Sequence, residues 1–528
     1  MRKIYEPGRS NILASNGLVA TSHPLSSQEG ISILKKGGNA IDAAIAASAV
    51  QSVVEPASTS IGGDCFAIIS MKNKRPIAVN GSGYAPKKAN LEYFKNHKIN
   101  KIDLLSPHSV TIPGSIHAWY SMHKKFGKLE FEQLFISAEK YAREGFPVYE
   151  IVSESWKKNI KKLSQYSSTK KIFLPNNSSP KFGEKFKNIR LARCLKIISK
   201  KGSKGFYEGE VARDIIKTLN ELGGLHTEED FFNQKTIFSN TISNNYKDYL
   251  IHQCPLYGPG IIVLLMMAII EKLDFKNCKP LSFERIHLQS EITKLCYEFK
   301  ETKLGDPDFN KINIEEILSE AFINKLLNKI SFDKTLNLPQ SNVTSHPETI
   351  YLTVVDKDLN AISFINSICH GFGSAITTHN FGILLQNRGV NFRLEENHPN
   401  VIDGHKRPLH TIIPGLLTDK KNNTIFSYGV MGGQYQPVGQ AHVLQNIFDF
   451  GMTVQEAIDL PRSFSLNGTL KLEKTIPIEI FEKLKKIGHN VKYENQSIGG
   501  GQGIFIDKKN GVLIGGSDSR KDGLAIGY

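Results

Sequence analysis

The chain has no apolar run long enough to cross a bilayer. The longest, residues 260–270, falls well short of a membrane span. No apolar stretch follows the basic start Met1-Arg2-Lys3, so no signal peptide is read there and a cytoplasmic protein is expected. Cysteine is sparse: six residues, scattered from Cys65 to Cys369, with no CxxC or zinc spacing. That pattern argues against a disulfide framework or a structural metal. Internal repeats are absent. At 40% hydrophobic and 22% charged the composition excludes disordered and fibrous classes, and 528 residues can bury a large core.

Charge of one sign is concentrated in one place. Residues 156–204 hold fifteen Lys or Arg against the single acid Glu184, which accounts for nearly all of the net +15. Nucleic acid is not the expected partner, because the segment has few aromatics to stack on bases. Lys157-Lys158 and Lys161-Lys162 read as a solvated helix face.

The hydrophobic pattern opens with a short strand at 17–21, then a helix capped by Ser26-Ser27-Gln28-Glu29 and ended by Gly37-Gly38-Asn39. A second helix from Ala40 carries small residues on most faces and should be buried against close neighbours. Helical patterns dominate 131–222 and 260–330. From Thr349 onward strands are expected at 350–355, 361–366, 425–429, 503–506 and 512–515, with a helix at 443–450. Residues 335–346 are polar and proline-bearing, a candidate exposed linker where the chain could be cut.

Thr349 opens the strand pattern Ile350, Leu352, Val354. By itself this is β-propensity. If the chain is cut before it, however, the residue gains an α-amine beside its hydroxyl, the base that a weak nucleophile requires.

Several motifs then occur in a fixed order. They are Thr21-Ser22-His23-Pro24-Leu25-Ser26, Gly37-Gly38-Asn39-Ala40-Ile41-Asp42-Ala43-Ala44, Val54-Glu55-Pro56, Ile61-Gly62-Gly63-Asp64-Cys65-Phe66, Ile112-Pro113-Gly114 and Phe206-Tyr207-Glu208-Gly209. Thr349 to Asn360, Lys406-Arg407-Pro408-Leu409, Met431-Gly432-Gly433 and Gly515-Gly516-Ser517-Asp518-Ser519-Arg520 follow. The ordered set, over nearly the full length, resembles the γ-glutamyltransferase family of N-terminal-nucleophile hydrolases.

The resemblance implies an α+β protein with a four-layer αββα sandwich. It also implies a precursor that cuts itself between Glu348 and Thr349 into a large subunit, 1–348, and a small subunit, 349–528, which stay together as one unit. Thr349 would be the nucleophile and, through its amine, the base, with Ser367 as a neighbouring hydroxyl. Backbone N–H groups of Gly432 and Gly433 would hold the oxyanion. No metal or organic cofactor is implied, and an oligomer of the heterodimer is left open.

The substrate pocket departs from the family. Ser82 stands where γ-glutamyl enzymes place an arginine for the glutamate carboxylate, and a hydroxyl cannot replace that bidentate contact. Cys369 replaces an asparagine, Arg388 a glutamine, Asn391 an aspartate, and His410-Thr411 a serine pair. The altered set suits a carboxylate without an adjacent amine, held by Arg388 and His410, unless Arg388 merely pairs with Glu395 or Glu396 at the surface. The cytoplasmic oxamate amidohydrolase branch is similar in this combination, so the substrate is expected to be a small amide such as oxamate. The alternatives are a γ-glutamyl hydrolase or transferase of glutathione-like compounds and, from another class, a non-catalytic binding protein. Cys65 reads as packing, Cys369-His370 does not define a metal site, and Gly499-Gly500-Gly501-Gln502-Gly503 reads as a hairpin connection near the active site.

Overall fold

A computed structural model describes residues 8–273, 275, 278–338 and 348–528. Two seven-stranded antiparallel sheets lie face to face. The first runs Leu524–Gly527, Leu18–Thr21, Ile350–Val355, Ala361–Ser367, Asp64–Ser70, Ile77–Gly81, Ile237–Asn240; the second runs Ile12–Ala14, Val512–Ser517, Gly500–Asp507, Thr424–Met431, Gly415–Asp419, Tyr249–Gln253, Ile242–Tyr246. Strands from before and after residue 348 are interleaved in both sheets, so the two segments share one core.

Side-chain alternation makes the layers. Ile350, Leu352 and Val354 point into the helices over the first sheet, whereas Tyr351 and Val355 enter the core between the sheets. The helix Ala40–Val54 covers the first sheet, buried along its whole length. Its Asn39–Asp42 capping box satisfies the N-terminal amides, and its alanines permit close packing. Gly260–Lys272 and Gln436–Phe448 cover the second sheet. The result is the αββα sandwich.

The strands expected after Thr349 are present within a few residues of their predicted bounds. Residues 499–503 differ: Gly500–Asp507 is an inner strand, paired with Thr424–Met431 and Val512–Ser517. Its glycines admit large neighbours, and a Cβ on Gly503 would lie 2.7 Å from the Phe426 ring. Three of its first four residues are glycines, which leaves that part of the strand almost no side chains to signal period two. A satellite sheet (Ser463–Leu466, Thr469–Glu473, Val491–Glu494) was not anticipated. Of the candidate linker, 339–346 lie outside the described residues. Its start is docked rather than free: Thr335 Oγ1 donates to Glu291 at 3.1 Å and the Leu336 N–H donates at 2.7 Å.

Candidate active site

Strand register explains the first part of the site. Ile350 pairs with Asn366, so Thr349 stands beside Ser367, with the two hydroxyl oxygens 3.2 Å apart. The Ser367 oxygen also accepts the Cys369 N–H at 3.0 Å. The Thr349 hydroxyl donates to the carbonyl oxygen of Glu348, the residue it would have to attack. Thr349 and Ser367 are both buried.

The facing sheet supplies the second part. Thr353 Oγ1 meets Ser427 Oγ at 2.6 Å, and a Cβ on Gly429 would lie 2.3 Å from the Tyr351 ring. This stagger, continued two residues further, brings Thr349 level with Met431 at the edge of the Gly432-Gly433 turn. Both glycines have positive φ, 126° and 55°, and a Cβ on Gly432 would lie 2.8 Å from Gly499 Cα. Glycine is therefore required here. The turn leads into the helix Gln436–Phe448, whose first amides lack intrahelical acceptors and favour negative charge.

Arg388 is fully buried, which overturns the surface-pairing alternative; Glu396 instead pairs with Lys95 at the surface. Arg388 Nη1 donates to Thr411 Oγ1 at 3.0 Å, while its Nε and Nη2 have no hydrogen-bond partner among the described residues. A buried guanidinium with two unmet donors is suited to an anion. His410 has no such freedom, because its Nε2 faces Asp64 Oδ2 at 3.0 Å and its Nδ1 faces the Pro408 carbonyl at 2.7 Å. Burial lowers its pKa, against the pull of Asp64. Asp64 itself accepts the amides of Gly83 and Gly114 at 3.1 and 3.2 Å. Sequence reasoning gave no role to this buried carboxylate.

Ser82 donates to Asn80 Oδ1 at 2.6 Å. Its carbonyl accepts Arg407 Nε at 3.4 Å, and the Arg407 guanidinium covers the Tyr84 ring at 4.4 Å. A cation thus reaches Ser82 from another segment. The Asn391 amide donates to the Leu409 carbonyl at 3.1 Å. A cavity of about 450 Å³ is lined by Asn391, His410, Thr411 and Gln434, the last next to Gly433; Thr349 is not in its wall.

Lys162 corrects the reading of the basic segment. Its amine turns inward and donates to the Gly371 carbonyl at 2.5 Å, and burial lowers its pKa to about 8. The aromatics Trp156, Phe173 and Phe186 form a buried cluster and offer no platform for bases. Elsewhere, buried His287, Glu291 and His489 bring potential ligand atoms within 4.8 Å of one another. Lys294, 2.6 Å from Glu291, already neutralises that carboxylate and opposes a cation. No helix among the described residues is long and apolar enough to cross a membrane.

Two interleaved sheets between helical layers, with a buried threonine at the edge of an inner strand, define an N-terminal-nucleophile hydrolase fold. A model of the Gamma-glutamyltranspeptidase family matches residues 26–528, and the chain belongs to that family. It is 34% identical to the glutathione hydrolase-like YwrD proenzyme of Bacillus subtilis, over 98% of this chain and 99% of that protein. Identity to the oxamate amidohydrolase proenzyme of Klebsiella pneumoniae is 27%, over 98% and 100%. The crystal structure of a cephalosporin acylase from Bacillus halodurans superposes with a TM-score of 0.94 at 33% identity, covering 100% of this chain and 98% of that one. The chain is an enzyme of the hydrolase or transferase type, and the non-catalytic binding reading falls.

Proposed function

We propose that the chain cuts itself before Thr349 and that the new N-terminal threonine hydrolyses a small amide carrying a carboxylate, with oxamate the leading candidate. One observation carries the reading: the Thr349 hydroxyl lies on the Glu348 carbonyl with Ser367 beside it. Attack on that carbonyl carbon forms an ester and frees the threonine nitrogen; water then releases residues 1–348. The exposed α-amine, with a reference pKa near ~8, is partly neutral at physiological pH and can take the hydroxyl proton. Attack on substrate then breaks the amide C–N bond, the amine returns the proton to the leaving nitrogen, and water hydrolyses the acyl-enzyme. The Gly432 and Gly433 amides stabilise the oxyanion.

Arg388 holds the substrate carboxylate through Nε and Nη2. Thr411 fixes the guanidinium, and His410 fixes Asp64 rather than touching substrate. Asn391, bonded within the protein, shapes the cavity wall, and Ser82, bonded to Asn80 and carrying Arg407 on its carbonyl, stands outside it. The test is ammonia release from oxamate beside turnover of a γ-glutamyl anilide. Release from oxamate alone supports the proposal; turnover of the anilide alone favours a glutathione-type hydrolase.

A further inference from the structure

The Gly432-Gly433 turn is held from outside by a helix of the other segment. The Tyr435 N–H donates to the Gly432 carbonyl at 3.0 Å and closes the turn. That carbonyl and the Gly433 N–H belong to one planar trans peptide, so whatever fixes the first aims the second. Glycine on both sides lets this peptide rotate at little steric cost, so its direction has to come from the residues that follow. Gln434 is the next residue, and it is buried. Its main-chain carbonyl accepts the Tyr297 hydroxyl, and its side-chain Oε1 accepts Lys300 Nζ at 2.6 Å. Both donors lie on the helix Phe283–Lys303, three residues apart and therefore on one face. Lys300 is itself fixed: its amine lies 4.9 Å from the centre of the Tyr297 ring and 2.5 Å from Glu301 Oε1, and Arg393 holds Glu301 at 2.8 Å. The Phe464 ring packs edge-on against both Tyr297 and Tyr435, with centres 6.1 and 5.4 Å away.

We propose that Tyr297 and Lys300 are positioning residues for the Gly433 amide, acting through Gln434 and the Tyr435–Gly432 bond. They grip the turn at two points, one on the main chain and one on the side chain. The peptide is thereby kept in the orientation that receives a negative oxygen. That oxygen exists only in the tetrahedral intermediate and the transition states beside it, so the brace acts on kcat and leaves KM unmoved. The helix belongs to residues 1–348 and the turn to 349–528. One segment therefore aims the amide for a nucleophile carried on the other. The catalytic meaning of the inference rests on the Thr349 amidohydrolase reading, whereas the brace itself is already present in the uncut chain.

Two measurements test it. In the first, the cleaved enzyme is assayed with oxamate, or with the γ-glutamyl anilide should that be the amide turned over. Tyr297→Phe removes a neutral donor and should lower kcat by roughly three- to tenfold. Lys300→Met removes a charged donor and should lower it by roughly ten- to a hundredfold. KM should stay unchanged in both, and Lys300→Arg should recover most of kcat. In the second, hydrogen exchange over residues 432–436 is read by mass spectrometry in the uncut Thr349→Ala chain, with the strand Ala361–Ser367 as reference. The bonded amides in this stretch are those of Tyr435 and Gln436. Adding Tyr297→Phe or Lys300→Met should speed their exchange by roughly three- to tenfold and leave the strand as it was. Both effects together support the brace. In an active enzyme it is overturned if only one of the two moves, or if KM rises in place of a fall in kcat. Faster exchange in a protein whose wild type hydrolyses neither amide sinks the amidohydrolase reading and leaves the brace standing. Wild-type turnover with kcat and exchange both untouched by the variants does the reverse.

Discussion

Thr353 of one sheet and Ser427 of the other share a hydrogen bond of 2.6 Å across the middle of the sandwich. It pins the stagger of two central strands, and that stagger decides whether Thr349 faces the Gly432-Gly433 turn. Replacing Thr353 with Val keeps the shape and takes one buried partner from the Ser427 hydroxyl. A stability loss of about 1–3 kcal/mol is expected, together with slower self-cleavage, read from denaturant unfolding and the rate of appearance of two chains. Unchanged cleavage at reduced stability would show that the bond holds the sandwich without setting the site.

Thr349→Ala removes the hydroxyl that lies on the Glu348 carbonyl. Mass spectrometry of the purified variant should give one chain of full length, and that of the wild type should give residues 1–348 and 349–528. Amide hydrolysis should fall to background. A cut variant would remove Thr349 from the chemistry.

Ser367→Ala deletes the hydroxyl between Thr349 Oγ1 and the Cys369 amide. One neutral hydrogen bond contributes about 0.5–1.5 kcal/mol, so cleavage should slow by roughly three- to tenfold. Time courses of freshly made precursor on denaturing gels provide the rate.

Arg388→Met tests the carboxylate anchor. Loss of charge-assisted hydrogen bonds of about 1.5–3 kcal/mol should raise KM for oxamate by roughly ten- to a hundredfold. Lysine should restore little, because an ammonium cannot reproduce the two guanidinium donors. Steady-state kinetics that left KM unmoved would count against the anchor.

Asp518 is the acid-sensitive point of the small segment. Burial would raise its pKa, but Arg462, at 2.6 Å, and Arg520 outweigh burial and hold it down to about 2. Because the folded value lies below the unfolded one near 3.9, the contribution is present above pH ~4 and is lost as pH falls toward 2. It amounts to about 2–3 kcal/mol. Chemical denaturation across that range should show the loss in the wild type, and Asp518→Asn should flatten it. The same slope in the variant would assign the acid limb to other carboxylates.

Much of this protein is legible in its residues. The nucleophile strand, the small-residue helix beginning at Ala40, the glycine pair and the order of motifs all follow from local pattern, because backbone propensity and side-chain period act over a few neighbours. The strand expected at 503–506 is present, but its glycine-rich start at 500–502 read as a hairpin connection, since residues without side chains carry no period. Lys162 read as a solvated lysine because its sequence neighbours are basic, and its burial depends on Gly371, far along the chain. Likewise the Asp64–His410 pair and the unmet donors of Arg388 arise only where distant segments meet. Sequence alone determined which groups the proposed chemistry can draw on: a threonine opening a strand, a pair of adjacent glycines, and an arginine. Tertiary structure decided which charges are buried and what they face, because desolvation and hydrogen-bond satisfaction are properties of three-dimensional neighbours.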